Sequence, residues 1–467
     1  MCNEKGEASR IFDMLSYSKK NIFEESDADR IKVIYDYAEG YKRFLDIAKT
    51  EREATDAVIA MAKEHGYSEF KFGDKLGIGD KKYFNNRGKS VVLFKLGAKD
   101  VDNGGIRIIA SHIDSPRLDL KQVPVYEKGG MGFFKTHYYG GVKKYQWTTI
   151  PLSLHGVIVK ADGESVTVRI GEDDNDPVFY INDLLPHLAQ KQLQESLGTA
   201  ITGENLNILV GGLPYADKDI AEKIKLTVLS LLNERYGIVE EDLISAELSL
   251  VPAFKARDIG FDRALIGAYG HDDRVCSYPA ITALFDNAEA EKTVMVILAD
   301  KEEIGSVGVT GMQSDLIVDL IDEISAALGK NPKAVRNNSI CLSADVTAAY
   351  DPNFDEVYEK RNSAMLSCGA AMSKYTGARG KSSTSDASAE LVGFVRRLFS
   401  EHGVFWQTAE LGKVDHGGGG TVAQYIANHS IDTVDIGVPV ISMHAPYEVV
   451  SKADVYSTYE AFSAFVK

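Results

Sequence analysis

Two adjacent carboxylates, Glu302 and Glu303, follow directly on the apolar run Val294 to Ala299, in the stretch Asp300-Lys301-Glu302-Glu303-Ile304-Gly305-Ser306. The run reads as a buried strand. A strand that ends in paired acids and a glycine delivers charge to one edge of a sheet, where open α/β sheets keep their ligands. Four other places set metal-capable side chains at or beside a predicted strand end: His112 with Asp114, Asp272 with Asp273, Asp345, and His444. Each alone reads as an ordinary hydrogen-bonding residue. Gathered at one edge, so many acids would repel one another unless cations neutralised them.

Oxygen and imidazole without thiolate suit zinc in a catalytic role, with cobalt or manganese as substitutes. Two ions about 3.5 to 4 Å apart, bridged by one carboxylate and a water, would account for the whole set. On a strand, residues two apart point to the same side, so Asp114 is expected to hold the ring nitrogen of His112 that faces away from the metal. Adjacent glutamates can divide labour, one ligating while its neighbour takes a proton from the metal-bound water. The loop Asp415 to Thr421, with Gly418 inside its glycine run, lacks the Gly-Lys-Ser/Thr ending of a nucleotide site. It is read as lining the substrate pocket, its backbone amides available to an anion. His187, in Pro186-His187-Leu188-Ala189, reads on spacing as a surface or packing histidine. No Gly-x-Ser-x-Gly elbow is present, and no cysteine stands beside a plausible histidine signal.

The elements that must carry these residues fall into three stretches. Apolar positions at helical spacing from about 26 to 65 give a helical lead-in, followed by strands near 91–94 and 106–110. From 118 to 255 period-two alternation predominates, as in His155 to Lys160 and Ser165 to Ile170, implying half-buried antiparallel strands and a helix near 221–236. After 256 strands near 293–299, 339–343 and 436–442 alternate with helices near 277–291, 315–328, 386–402 and 451–466. Ser451 is expected to cap the last helix, with Asp454 three residues on helping to satisfy its first amides. The fold class is α/β: a mixed, mostly parallel sheet sandwiched by helices, residues 1–117 and 256–467, interrupted by an inserted β-rich domain, residues 118–255.

Composition narrows the function classes. With 467 residues, 44% hydrophobic and 26% charged, the chain is an ordinary globular protein, and its net charge of −16 argues against a nucleic-acid binder. Cys2, Cys276, Cys341 and Cys368 form no C-x-x-C pair, which fits reduced thiols in a cytoplasm. The first thirty residues carry no apolar signal region, and no apolar run approaches the length of a membrane span, so neither secretion nor a membrane partner is expected.

Ser-His-Ile-Asp-Ser-Pro, Asp272-Asp273, Asp-Lys-Glu-Glu-Ile-Gly-Ser, Ser343-Ala344-Asp345 and Met443-His444, in this order, resemble the motifs of the bacterial branch of the aspartyl aminopeptidase family of zinc metallopeptidases. The resemblance implies a zinc-exopeptidase fold whose inserted domain serves dimerisation. It implies a peptidase that removes single N-terminal residues, with a preference for acidic ones, from short peptides by metal-hydroxide attack. Two zinc ions per subunit follow from it: His112 and Asp345 on one, Glu303 and His444 on the other, Asp272 bridging, Glu302 as general base. His187 matches a histidine that in relatives reaches a neighbouring subunit's active site, and Lys381 falls near the family's acid-recognising lysine. A homo-oligomer, a dodecamer built from dimers, is likewise implied. The sequence departs from the family around Gly270-His271-Asp272-Asp273-Arg274 and at Ala445-Pro446-Tyr447, which bears on the pocket that reads the substrate side chain. A related two-metal deacylase or carboxypeptidase, and a non-catalytic scaffold of the same fold, are the competing readings.

Overall fold

The computed structural model describes residues 7–99, 101–217, 219–287, 289 and 291–467; Cys2 lies outside them. A nine-stranded mixed sheet forms the centre. Its strands are β1 (Ser68–Glu69), β2 (Lys81–Asn86), β3 (Ser90–Lys95), β4 (Arg107–His112), β5 (Val294–Ala299), β6 (Ile340–Ser343), β7 (Ala370–Ser373), β8 (Trp406–Thr408) and β9 (Asp432–Gly437). They lie in the order β1-β2-β3-β5-β4-β6-β9-β7-β8. The four central strands β5, β4, β6 and β9 are mutually parallel, so their carboxyl ends share one edge.

Alternate residues of these strands enter two separate cores, which is why they read as continuous apolar runs. Val294, Val296 and Leu298 of β5 pack with helices α1 (Ala28–Ile47), α2 (Glu51–Glu64) and α3 (His271–Asp286). Met295, Ile297 and Ala299 pack on the other face with α4 (Leu316–Ala327). The lead-in helices are locally well specified. Asp27 caps α1 by accepting the Arg30 N–H at 2.9 Å, and Thr50 with Glu53 forms a capping box on α2.

A second sheet of seven strands is built wholly from residues 117–252 and is antiparallel throughout. The helix Lys223–Tyr236 buries Ile224 and Val228, and Val228 enters the same core as Phe134, Leu154 and Leu250. A third sheet of five short strands joins Leu265–Ala268, just before α3, to Pro439–Ile441 and Glu448–Ser451 near the end of the chain.

Three local expectations change. The strand expected over 436–442 ends at Gly437, and the chain passes into the third sheet at Pro439, a residue without an N–H to offer a central ladder. The helix expected from Ser277 is preceded by a turn that begins at His271, with Asp272 and Asp273 not yet helical. Ser451 does cap the last helix, Lys452–Val466, but Asp454 does not assist it. Its carboxylate accepts the N–H groups of Ser367 and Gly369, each at 2.7 Å, and is committed to that loop.

The lead-in helices and the second sheet meet across buried charge. His155 lies between Glu53 (Nδ1 to Oε1, 2.8 Å) and Glu172 (Nε2 to Oε1, 3.2 Å), and Lys49 donates to Glu172 at 2.7 Å. Burial works against the His155 imidazolium, but hydrogen bonds to Glu172 and Glu53 outweigh it and hold its pKa above the ordinary value. A raised pKa means that the stability this charge contributes is complete below about pH 6.5 and is lost as pH rises through the folded value. The gap in thermal unfolding midpoint between wild type and His155→Gln is therefore expected to narrow on the alkaline side; a gap independent of pH would contradict this seam.

Candidate metal centre

His112, Glu302 and Asp345 follow the carboxyl ends of the parallel strands: His112 closes β4, and Glu302 and Asp345 lie just beyond β5 and β6. His444 lies past Pro439–Ile441, and Asp272 precedes the regular part of α3, where its φ of −77° and ψ of 106° are not yet helical. The central and third sheets thus bring together all six residues expected at the centre.

Asp272 stands in the middle. Its Oδ1 lies 3.1 Å from His112 Nε2 and its Oδ2 lies 3.1 Å from His444 Nε2. Asp345 Oδ1 is 3.8 Å from His112 Nε2, and Glu303 Oε2 is 3.5 Å from His444 Nε2. Both rings are turned to present Nε2 because Nδ1 is engaged by a main-chain carbonyl, that of Asp114 at 3.1 Å for His112 and that of Gly141 at 3.0 Å for His444. Glu302 Oε2 lies 3.9 Å from His112 Nε2.

Asp114 sits past the end of β4, so strand alternation does not place it, but it does hold the site. Its Oδ1 is 3.3 Å from His112 Nδ1 and accepts the Glu302 N–H at 3.1 Å, while Oδ2 accepts the Glu303 N–H at 3.2 Å. One carboxylate thereby orients a histidine and both acids. Asp300 ties the same loop down, its Oδ2 accepting the Thr310 hydroxyl at 2.6 Å.

The sequence reading paired Asp273 with Asp272 without giving it a role, and it missed Glu448. Asp273 gathers with His112 and Asp345, as Asp272 does with Glu303 and His444, each trio offering ligand atoms within 4.8 Å of one another. Asp273 is nevertheless oriented otherwise, since its Oδ2 faces the His112 N–H at 3.4 Å, whereas the Asp272 oxygens face both imidazoles. Glu448, on the third sheet, accepts the N–H of His444 at 2.7 Å and the N–H of Asp272 at 3.1 Å. It fixes His444, whose φ of 66° lies in the left-handed region and costs about 1–2 kcal/mol. The spacing His444-x-x-x-Glu448 was visible, but nothing in it signals a clamp.

The electrostatics call for positive charge. Two carboxylates about 4 Å apart repel by about 4 kcal/mol at an effective dielectric of 20, so this many cannot all ionise unaided. Burial pushes Glu302 up to about 8, and burial followed by repulsion from Asp272 raises Glu303. Burial opposes charge on His444, yet Asp272 and Glu303 hold it protonated up to about 10. Protons here do the neutralising that a cation would do. Buried Asp273 Oδ1 and Glu303 Oε1 accept no hydrogen bond, which suits them to a cation. The donor set of oxygens and imidazoles therefore fits zinc.

Beside these groups opens a cleft of about 240 Å³, lined by Asp272, Glu302, Asp345, His444, Thr376 and the loop Gly418 to Thr421 among others. Gly418 has φ of 124°, and a Cβ there would lie 2.0 Å from the Gly377 carbonyl oxygen. Neither Lys381 nor His187 lines the cleft. Lys381 lies over the Tyr375 ring at 3.8 Å and pairs with Asp386 at 3.2 Å, in a neighbouring recess. His187 is exposed on a single turn, Pro186–Leu188.

The family profile described as aminopeptidase I zinc metalloprotease (M18) matches residues 44–466. A probable M18 family aminopeptidase 1 of Clostridium acetobutylicum is 48% identical over 456 residues, 96% of this chain and 98% of that protein. The crystal structure of an M18 family aminopeptidase from Thermotoga maritima has a TM-score of 0.92 at 41% identity, covering 97% of this chain and 100% of that one. The S. cerevisiae mApe1 dodecamer shares the fold at 24% identity and a TM-score of 0.74, over 92% and 96% of the two chains.

Adding zinc to chelator-treated protein is expected to raise its unfolding midpoint, by the equivalent of about 2.7 kcal/mol at a hundred times the Kd. Asp272→Asn should remove most of that gain, and a full gain in this variant would contradict the central place given to Asp272.

Proposed function

The chain belongs to the aminopeptidase I zinc metalloprotease (M18) family, and from that premise we propose that it is a two-zinc enzyme with Asp272 as the bridging ligand. It is a hydrolase of the aminopeptidase class. His112 and Asp345 hold one ion, Glu303 and His444 the other. The observation that carries this is the pair of 3.1 Å approaches of the two Asp272 oxygens to the two Nε2 atoms.

Zinc bound at such a centre acidifies water and polarises a carbonyl. Glu302 supplies the proton transfer. It faces the cleft, its backbone is fixed through Asp114, and a carboxylate with a raised pKa is suited to take a proton from the attacking water and return it to the departing amine. Gly418 and the loop around it offer backbone amides to the substrate.

Among the described residues, no lysine or arginine lines the cleft. A preference for acidic N-terminal residues then rests on the adjoining recess, which shares Thr376 and Leu411 with the cleft and holds Lys381, Arg379 and Lys413, or on His187 of a neighbouring subunit. We read residues 118–255 as the inserted dimerisation domain. Exposed Leu184, Leu188, Leu193 and Leu197 support a covered surface there, and the dodecameric mApe1 fold supports a larger assembly. The cytoplasm is the compartment proposed, in keeping with free, buried Cys276, Cys341 and Cys368 and with the lack, among the described residues, of any helix able to cross a membrane.

Glu302→Gln should retain zinc close to the wild-type content while kcat falls by roughly 10²–10⁴-fold on free-amine peptides; normal turnover would remove Glu302 from this role. N-acylated peptides should be refused by the wild type, and their hydrolysis would favour a deacylase.

A further inference from the structure

The second sheet reaches the metal centre at the end of one strand. Its strand Met131–Tyr139 ends against the centre, and Gly140 and Gly141 continue it. The Tyr139 hydroxyl donates to Asp114 Oδ2 at 2.8 Å, the oxygen that also accepts the Glu303 N–H. The Gly141 carbonyl takes the His444 Nδ1–H at 3.0 Å, across 303 positions of sequence. Between them, Gly140 has φ of 75°, and a Cβ there would lie 3.1 Å from Glu303 Oε2.

Tyr139 is not free to turn away. The Arg117 guanidinium lies 4.0 Å from its ring centre, and Arg117 is itself buried and paired with Glu51 at 3.1 Å and Asp119 at 2.8 Å. The hydroxyl therefore presses a fixed position on Asp114, which orients His112 and the amides of both glutamates. Gly141 does the same for His444.

Taking the two-zinc reading above as its basis, we propose that the segment Tyr139-Gly140-Gly141 is the device by which the second sheet sets both halves of the metal centre, with Tyr139 and Gly141 as positioning residues. A shift of this strand moves groups on both ions at once. Whatever packs against the second sheet is thereby coupled to metal affinity, although it need never reach the cleft.

The test is zinc affinity, measured by competition with a chromogenic chelator on the full chain, with the metal-free unfolding midpoint recorded alongside. Tyr139→Phe deletes only the hydroxyl and keeps the ring beside Arg117. It is expected to weaken both ions by roughly 10–100-fold, the usual effect of losing a partner that orients ligands. Gly141→Ala would put a Cβ 3.0 Å from His444 Nδ1 and is expected to weaken one ion and spare the other. The metal-free midpoint of Tyr139→Phe should match the wild type. Two zinc ions bound to both variants within twofold of wild-type affinity would overturn the proposal while leaving the metal centre standing. A metal-free midpoint that falls in step with affinity would overturn it also, by reducing Tyr139 to a packing role. A wild type that binds no zinc would overturn the two-zinc reading and this one with it.

Discussion

Asp272 faces two imidazole nitrogens at once, and the rest of the centre is arranged around that fact. A carboxylate so placed is held ionised: burial opposes its charge, but His112 and His444 outweigh burial. For the neighbouring acids the same histidines do not outweigh burial. Asp273, Glu302, Glu303 and Asp345 are all raised, with burial as the first cause. Without added positive charge the cluster must take up protons, and a bound cation would let its acids ionise, as the proposed role of Glu302 requires.

Holding acids together against their repulsion requires anchors on every side, and three sheets supply them. The central sheet delivers His112, Glu302, Glu303 and Asp345 at the ends of parallel strands. The third sheet supplies Glu448, which ties the amides of Asp272 and His444 to one side chain. The second sheet supplies Tyr139 and the Gly141 carbonyl. Most of the groups at the centre lie beyond strand ends, and Lys301, Ser306 and Ser442 as well as His444 have positive φ, so this precision is local strain held by surrounding hydrogen bonds.

Much of this was legible in the sequence because strands buried on both faces leave continuous apolar runs, and acids or histidines just past such runs stand out. Val294 to Ala299 followed by Glu302 and Glu303 is the plainest case. The anchors were not legible. Glu448 and Tyr139 are ordinary residues until pairing between distant segments brings them to the site, and single-sequence periodicity carries no record of that pairing. Asp114 was singled out for a reason that the fold replaces: it acts from a loop, through backbone amides, and not by strand alternation. Lys381 shows the opposite failure, since its position near the cleft could be anticipated but its engagement with Asp386 and Tyr375 could not.

The central claim is that one carboxylate joins two ions. Anomalous diffraction at the zinc edge, from crystals grown with zinc, tests it directly. Two peaks about 3.5–4 Å apart are expected, one on each side of Asp272, the first against His112 and Asp345 and the second against His444 and Glu303. A single peak, or two peaks that do not share Asp272, would contradict the account.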